Sequence, residues 1–497
     1  MFKKIIKKIK DNYYVYTLLA ICLVSLILFF PSLTNFYTND DFFHLKISNV
    51  NTWEEFINFF NLIKSPEGWG LYRPLTTQVF YFLTVKFFNL SPVPLHIISF
   101  LTFFAIILLV AEFVKIITKN KNIALISAFL YATSATHFGH LYFLGAYQEL
   151  GMTLFFLSSV ILFIRYEIDT KTKNAVKHLF TSFIFFVMAL MSKETALVLP
   201  FILVLTYIYF KLIKMINISI KTFVFSILPY ILTLAYYLFL RFRYYGFVSG
   251  DSYVWNFLPL RAINSLSWYG LWSFNVPEML IDFIGPGFHL NPNLLRYWSK
   301  EIVPIFILFV IQIFILFSLV AKSYKNLKKI NREKMFLIIF SIFWFLLTLV
   351  PVIFLPVHKF TFYLTLPLIG IVLVLGYLLK EVIKNRWGIC LFLIVWIIGS
   401  FLTLRFTIQT NWITQGGKIS EKVYFYFNQN RPNLASKDIV FVDTSEDDAL
   451  SLSPTATIKT TLSGNNFFFV FYPELASHIF YSGEGDIKIK SRFFLGY

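Results

Sequence analysis

Long apolar runs, each of about 18 residues or more, recur along most of the chain, and short polar stretches between them carry most of its charge. Runs of that length match the hydrocarbon thickness of a bilayer, and a soluble fold cannot bury so many. They predict eleven membrane-spanning helices, at about 13–31, 94–117, 122–138, 143–164, 178–192, 195–213, 222–240, 301–321, 335–355, 361–379 and 387–406. Between the first two lies a mixed stretch, 32–93. There Asn51 to Ile63 reads as an amphipathic surface helix and Pro66-Glu67-Gly68-Trp69-Gly70 as a loop. Leu75 to Phe88 is apolar but short, and Thr76, Thr77, Gln78, Thr84 and Lys86 interrupt it.

Charge orients the spans. Lys3 to Lys10 place the N-terminus in the cytoplasm, and no small-residue cleavage site follows, so the first helix is read as retained. If Leu75–Phe88 does not cross, the clusters around Lys115, Arg165, Lys211, Lys322 and Lys380 all fall inside. If it crosses, they fall outside. Eleven spans therefore satisfy the basic loops and twelve do not. The same solution gathers Asp40, Asp41, His137, His140, Glu149, Lys193, Glu194, Arg241, Arg243, His358 and Lys359 at or near the outer boundary, although none of them was used to choose it.

From about 411 the composition changes, and Lys437–Asp443, Asn466–Tyr472 and Asp486–Lys490 read as strands. The expected fold is thus an all-α polytopic membrane protein with about eleven transmembrane helices, interfacial helices in the first outer loop, and a small C-terminal α/β extracytoplasmic domain. The expected division is 1–410 for the membrane domain, with 32–93 as its first outer loop, and 411–497 for the small domain. The expected location is the cell membrane.

Composition narrows the function classes. The 497 residues are 57% hydrophobic and 14% charged, with mean hydropathy +0.68. The net charge of +18 does not point to nucleic acid, because the basic residues sit in short loops between spans. Cys22 and Cys390 both lie in apolar runs, which leaves neither a disulfide framework nor a cysteine metal site.

The chemistry concentrates in Tyr37-Thr38-Asn39-Asp40-Asp41-Phe42-Phe43-His44-Leu45. Adjacent carboxylates just beyond a span are costly unless they pair, bind something or react. One reading is a cap, with Asn39 or Asp40 starting a short helix at Asp41. The other is a general base acting on an acceptor hydroxyl as it attacks an activated carbon. A phosphate leaving group then needs cations, and Arg73, Lys193, Arg241, Arg243, His358 and Lys359 are the candidates. Arg241, Arg243, His358 and Lys359 also read as snorkelling helix anchors, and Lys193 with Glu194 as a structural pair. His44, His137, His140, Glu149 and Glu194 are candidates for lining the site. The three-residue spacing of His137 and His140 suits metal if helical, but interfacial polar groups account for it as well, and no metal or other cofactor is expected. Asp447 and Asp448 read as an exposed turn.

Together these features resemble the GT-C-type glycosyltransferases that use lipid-phosphate sugars, above all the protein O-mannosyltransferase and aminoarabinose-transferase branch. The likeness covers about residues 1–405. It rests on the order of Asn39-Asp40-Asp41, Tyr72-Arg73-Pro74-Leu75, Pro94-Leu95-His96, Ser192-Lys193-Glu194-Thr195 with Pro200, and the Lys359-to-Pro367 run with Tyr363. The resemblance implies Asp40 as catalytic base with Asp41 as supporting acid or alternative base. It also implies a polyprenyl-phosphate sugar donor, inversion at the anomeric carbon, and a lipid phosphate held by Arg73, Lys193 and the basic residues near Arg241 and His358. The chain departs from the family in lacking tetratricopeptide repeats. It also lacks a Trp-Trp-Asp segment, which argues against transfer of whole glycans. The expected partners are the bilayer, the lipid-linked donor and a protein, lipid or glycan acceptor. The competing readings are a transporter or flippase of a lipid-linked sugar, and a scaffold whose tail binds a partner. The transporter reading expects charges deep in the spans and inverted internal symmetry.

Overall fold

The computed structural model describes residues 12–63, 70–169, 174–246, 248, 250, 252–285, 289–327, 331–434, 438–442 and 454–481. The basic N-terminal residues Lys3 to Lys10, the loop residues Pro66 to Trp69, Lys171, Lys173, Lys328, Lys329, Asp447, Asp448 and the strand expected at Asp486–Lys490 lie outside the described residues.

In chain order the helices begin with α1 (Tyr13–Phe29), α2 (Asp40–Ile47), α3 (Trp53–Asn58), α4 (Gln78–Phe87), α5 (Val93–Thr118), α6 (Lys121–Ala132) and α7 (Phe138–Tyr142). There follow α8 (Tyr147–Ile168), α9 (Ala175–Leu190), α10 (Leu199–Leu212), α11 (Ile220–Tyr244) and α12 (Pro259–Trp272). A two-residue hairpin, β1 (Ile284–Gly285) with β2 (His289–Leu290), leads into α13 (Pro292–Lys322), α14 (Tyr324–Leu327), α15 (Arg332–Ile353), α16 (Leu368–Tyr377) and α17 (Arg386–Thr410). The C-terminal part holds α18 (Trp412–Leu434), β3 (Ile439–Phe441), α19 (Pro454–Thr461), α20 (Asn466–Phe471) and β4 (Ile479–Tyr481).

A helix falls in each of the eleven stretches expected to span. Among the described residues, eight are long and apolar enough to cross a membrane. Helices α6 and α9 are shorter. Helix α6, at 12 residues, is only about 18 Å long. It stops at Ala132 because Ser134 turns the chain into a 3₁₀ segment, its side chain taking the Thr136 N–H. The stretch expected at 361–379 is also broken. A 3₁₀ turn at Thr361–Leu364 precedes α16, which begins just after Pro367 and runs into π-helical turns at Leu378–Ile383. Helix α4 has 10 residues, too few to cross, as expected of Leu75–Phe88. Asn caps start three helices at one end of the bundle, with Asn120, Asn331 and Asn385 each accepting a backbone N–H.

Several local expectations change. The helix expected over Asn51–Ile63 is confined to α3, where Thr52 and Glu55 form a capping box. The segment Asn466–Tyr472, expected as a strand, is the helix α20. A turn at Ser463–Gly464 starts it, and its Phe467 and Phe468 are buried side by side, which a strand with alternating faces cannot do. Strand β3 falls within the expected Lys437–Asp443 and pairs in parallel with β4, which was not expected. The sequence reading offered no helix at α18.

Of three apolar clusters among the described residues, one around Leu294, Ile302, Ile305 and Phe406 is small, and the other two organise the molecule. The larger lies among the long helices. The smaller is shared by the first loop and the C-terminal part: Tyr37, Phe42 and Tyr81 pack with Phe427, Phe467 and Tyr472.

Candidate functional site

The two acids have opposite surroundings. Thr38-Asn39-Asp40-Asp41 form a tight turn closed by the Asp41 N–H donating to the Thr38 carbonyl at 3.1 Å. Asn39, at φ 50° and ψ −122°, takes the first central position of a type II′ turn, where Asn is tolerated and branched residues are not. Helix α2 therefore starts at Asp40 rather than Asp41, and the Asn39 side chain makes no cap hydrogen bond. Asp41 is 1% exposed. Its Oδ2 accepts the Thr38 N–H at 2.9 Å and its Oδ1 accepts the Tyr81 hydroxyl. Burial pushes its carboxyl up to about 7, against the opposing pull of Tyr81 and Thr38. Asp41 thus braces the turn from inside the fold. Asp40 is exposed, and its charge reaches Tyr253.

Arg73 is buried. Its Nε lies 2.8 Å from Glu194 Oε2, its Nη2 contacts Glu194 Oε1, and its Nη1 contacts Gln148 Oε1. Its backbone is aligned by neighbours: the Leu75 N–H donates to the Met191 carbonyl, and the Thr76 hydroxyl to the Ser192 carbonyl at 2.6 Å. Gly151 makes room for the Thr76 methyl, which a Cβ there would strike. Burial disfavours the guanidinium, but the Glu194 carboxylate more than offsets this and holds its pKa above the ordinary value. Burial raises the pKa of Tyr253, Arg73 lies near enough for its guanidinium to oppose that rise, and the charge of Asp40 adds to it.

Lys193 lies 2.6 Å from Glu149 Oε1 and over the Tyr363 ring at 4.7 Å. Arg241, 8% exposed, has an Nη1 without a hydrogen-bond partner among the described residues. It lines a cavity of about 160 Å³ with Lys193, Thr195, Tyr237, Tyr253 and Tyr363. Thr195 Oγ1 also lacks a partner among the described residues. Most of the remaining wall is apolar, from Leu238, Trp255, Val352 and Leu355.

The other candidates separate. His358 Nδ1 lies 2.6 Å from Ser252 Oγ, and its ring packs on Tyr253 with centroids 4.1 Å apart and planes tilted by 31°. Burial, then Lys193 and Arg73, push its imidazole down to about 3. It borders the site as a neutral ring, not as the expected cation. Lys359 turns the other way, donating to Asn264 at 2.9 Å and facing a second cavity of about 580 Å³ with Glu278, Asp282, Asn411 and Trp412. Burial and then Arg261 push its ammonium down to about 8. Arg243 is exposed, over the Tyr244 ring at 5.6 Å, outside the cluster. His44 is buried beside Tyr81, and burial and Arg73 push its imidazole down to about 3.

His137 and His140 do not line an outer site. Both are fully buried, because each ring nitrogen is used inside the fold. His137 Nε2 faces the Tyr131 carbonyl at 2.7 Å, His137 Nδ1 faces His140 Nε2 at 3.2 Å, and His140 Nδ1 faces Thr365 Oγ1 at 3.1 Å. The Tyr131 carbonyl can only accept, so His137 carries its proton on Nε2 and takes the His140 Nε2 proton on Nδ1, while the single Thr365 hydroxyl proton is shared between His140 Nδ1 and the Phe362 carbonyl at 2.6 Å. Among the described residues no group of three or more His, Cys, Asp or Glu is placed to hold a metal ion.

Sequence reasoning missed Tyr81, Gln148 and Tyr253, and named Tyr363 only within a longer run. Nothing marks a tyrosine hydroxyl in a chain with 28 tyrosines. Gln148 had one signal, its place beside Glu149 at the start of an apolar helix.

No protein-family model matches the chain, and no curated protein matches it. Solved structures similar to it include the Archaeoglobus fulgidus oligosaccharyltransferase in complex with Zn and sulfate, at 14% identity and TM-score 0.46, covering 94% of this chain and 62% of that one. The archaeal oligosaccharyltransferase AglB from the same organism, with an inhibitory peptide and a dolichol-phosphate, follows at 13% and 0.45, covering 84% and 60%. The same organism's oligosaccharyltransferase tethered to an acceptor peptide containing the NVT sequon gives 13% and 0.43, covering 86% and 58%. The chain spans about three fifths of the length of these structures.

Proposed function

We propose that the protein is an integral-membrane glycosyltransferase of GT-C type. It moves a sugar from a polyprenyl-phosphate donor to an acceptor hydroxyl on the extracytoplasmic side. The observation that carries this reading is a cationic, mostly apolar cavity in which Arg241 Nη1 has no hydrogen-bond partner among the described residues, and whose wall residue Tyr253 feels the charge of the exposed Asp40.

In this reading the acceptor oxygen attacks the anomeric carbon as Asp40 takes its proton. The bond from that carbon to the phosphate oxygen breaks with inversion, and the electron pair leaves on the lipid phosphate. Arg241 binds that phosphate by charge-assisted hydrogen bonds. Arg73 and Lys193 already hold Glu194 and Glu149, so they shape the wall and its field rather than grip the phosphate. The apolar wall receives the first isoprenoid units. The guanidinium supplies the charge that a metal ion would otherwise supply, so the reaction is proposed to need no cofactor. The acceptor is a protein, a lipid or a glycan.

The test is transfer of label from radiolabelled polyprenyl-phosphate hexoses in membranes. Asp40→Asn is expected to lower transfer by about 10²-fold or more while the protein stays folded. Full activity in that variant overturns the reading. Sealed vesicles with donor on one side separate transfer from the competing transporter reading, in which label changes sides without leaving the lipid.

A further inference from the structure

We propose that the C-terminal part of the chain is a positioning element for Asp40, a role that rests on the reading of Asp40 as the base. The backbone that presents Asp40 is gripped from outside its own loop. The Asn39 N–H donates to the Thr461 carbonyl, at the end of α19, at 2.7 Å. The Ser420 hydroxyl, on α18, donates to the Tyr37 carbonyl. Gly416 lies so close that a Cβ there would strike Thr38 Oγ1. A Cβ on Gly417 would come within 3.1 Å of Asn35 Oδ1 and the Phe36 carbonyl. Below the turn, Phe42 packs on Phe467 with ring centroids 5.1 Å apart, and Lys46 lies over the Phe469 ring at 4.5 Å.

Apart from Lys46, these contacts fall on residues 35–42, around Asn39 with its positive φ. A type II′ turn with Asn rather than Gly at its first central position is costly, so it persists only where its surroundings fix it. Thr461 satisfies the Asn39 N–H, and the paired glycines let α18 lie against the segment that leads into the turn. The turn decides which acid is buried and which is exposed. By holding the turn, the C-terminal part keeps Asp41 on Tyr81 and leaves Asp40 at the surface.

The experiment uses the full chain in detergent or nanodiscs, with Gly416→Ala and Ser420→Ala, and reads hydrogen exchange together with transfer kinetics. Exchange in peptides covering 36–47 is expected to rise roughly tenfold in Gly416→Ala and less in Ser420→Ala, with α5 unchanged as an internal control. In the same variants kcat is expected to fall while KM for the donor stays put, as for a displaced base. Unchanged exchange at 36–47 in both variants overturns the clamp. Raised exchange with unchanged kcat overturns its role in positioning Asp40. If wild-type protein transfers no sugar, the reading of Asp40 as base fails, while the exchange data still decide whether the clamp exists.

Discussion

Arg73 and Glu194 stand 121 residues apart in sequence and meet in a two-pronged ion pair at one end of the bundle. The pair joins the loop before α4 to the junction before α10, and Gln148 on α8 completes the guanidinium's contacts. Breaking a buried pair leaves a charge unmatched, at a cost of about 3–5 kcal/mol. Arg73→Ala is therefore expected to lower the apparent melting temperature clearly. Arg73→Lys keeps the charge but cannot make both prongs. It is expected to fold and to lose about 10²-fold in transfer, because Tyr253 and the cavity wall shift. Initial rates and a melting curve for both variants check this.

Arg241 is expected to act on donor binding. A charge-assisted hydrogen bond contributes about 1.5–3 kcal/mol, which corresponds to roughly 10–100-fold in affinity. Arg241→Gln should raise KM for the donor within that range and change kcat less. A fall in kcat at constant KM would assign Arg241 to the transition state alone.

Asp41 makes stability depend on pH. Its carboxyl titrates near 7 in the fold, against an ordinary 3.8. Between those values the folded protein binds more protons than the unfolded chain, so stability falls as pH rises through the window and levels off above it. The difference is worth on the order of 4 kcal/mol. Asp41→Asn can still accept the Thr38 N–H and donate to the Tyr81 oxygen. Its apparent melting temperature is expected to lose the part of the decline between pH 4 and 7 that Asp41 causes, measured as the difference from wild type at each pH.

Metal removal is expected to change nothing. Dialysis against EDTA should leave transfer within about twofold of the untreated membranes, since Arg241 meets the phosphate charge in this reading. Loss on chelation with recovery on added Mg²⁺, Mn²⁺ or Zn²⁺ would require a metal at the acid turn instead.

The sequence made the helical frame and its charged end legible because both follow from simple rules. Apolar length marks helices, and Arg73, Glu149 and the adjacent Lys193 and Glu194, from three distant stretches of the chain, end up together because they are costly elsewhere. The limits were also physical. Apolar runs do not reveal where a helix breaks, so α6 looked long enough to span, and Pro367 split a stretch that hydropathy reads as continuous. Charge alone could not tell a paired cation from an available one, nor see that burial leaves His358 neutral. The split between Asp40 and Asp41 depends on the positive φ of Asn39 and on Tyr81 and Thr461, contacts across many residues that no local pattern announces. Likewise Asn466–Phe471 has strand-like composition, and the turn at Ser463–Gly464 makes it a helix.

The most direct test of the central claim compares Asp40→Asn with Asp41→Asn for release of labelled sugar from a polyprenyl phosphate. Asp40→Asn is predicted to lose about 10²-fold or more with unchanged KM for the donor, and Asp41→Asn to retain most activity at neutral pH. The reverse order, with Asp41→Asn inactive and Asp40→Asn active, would contradict the assignment of Asp40 as the base.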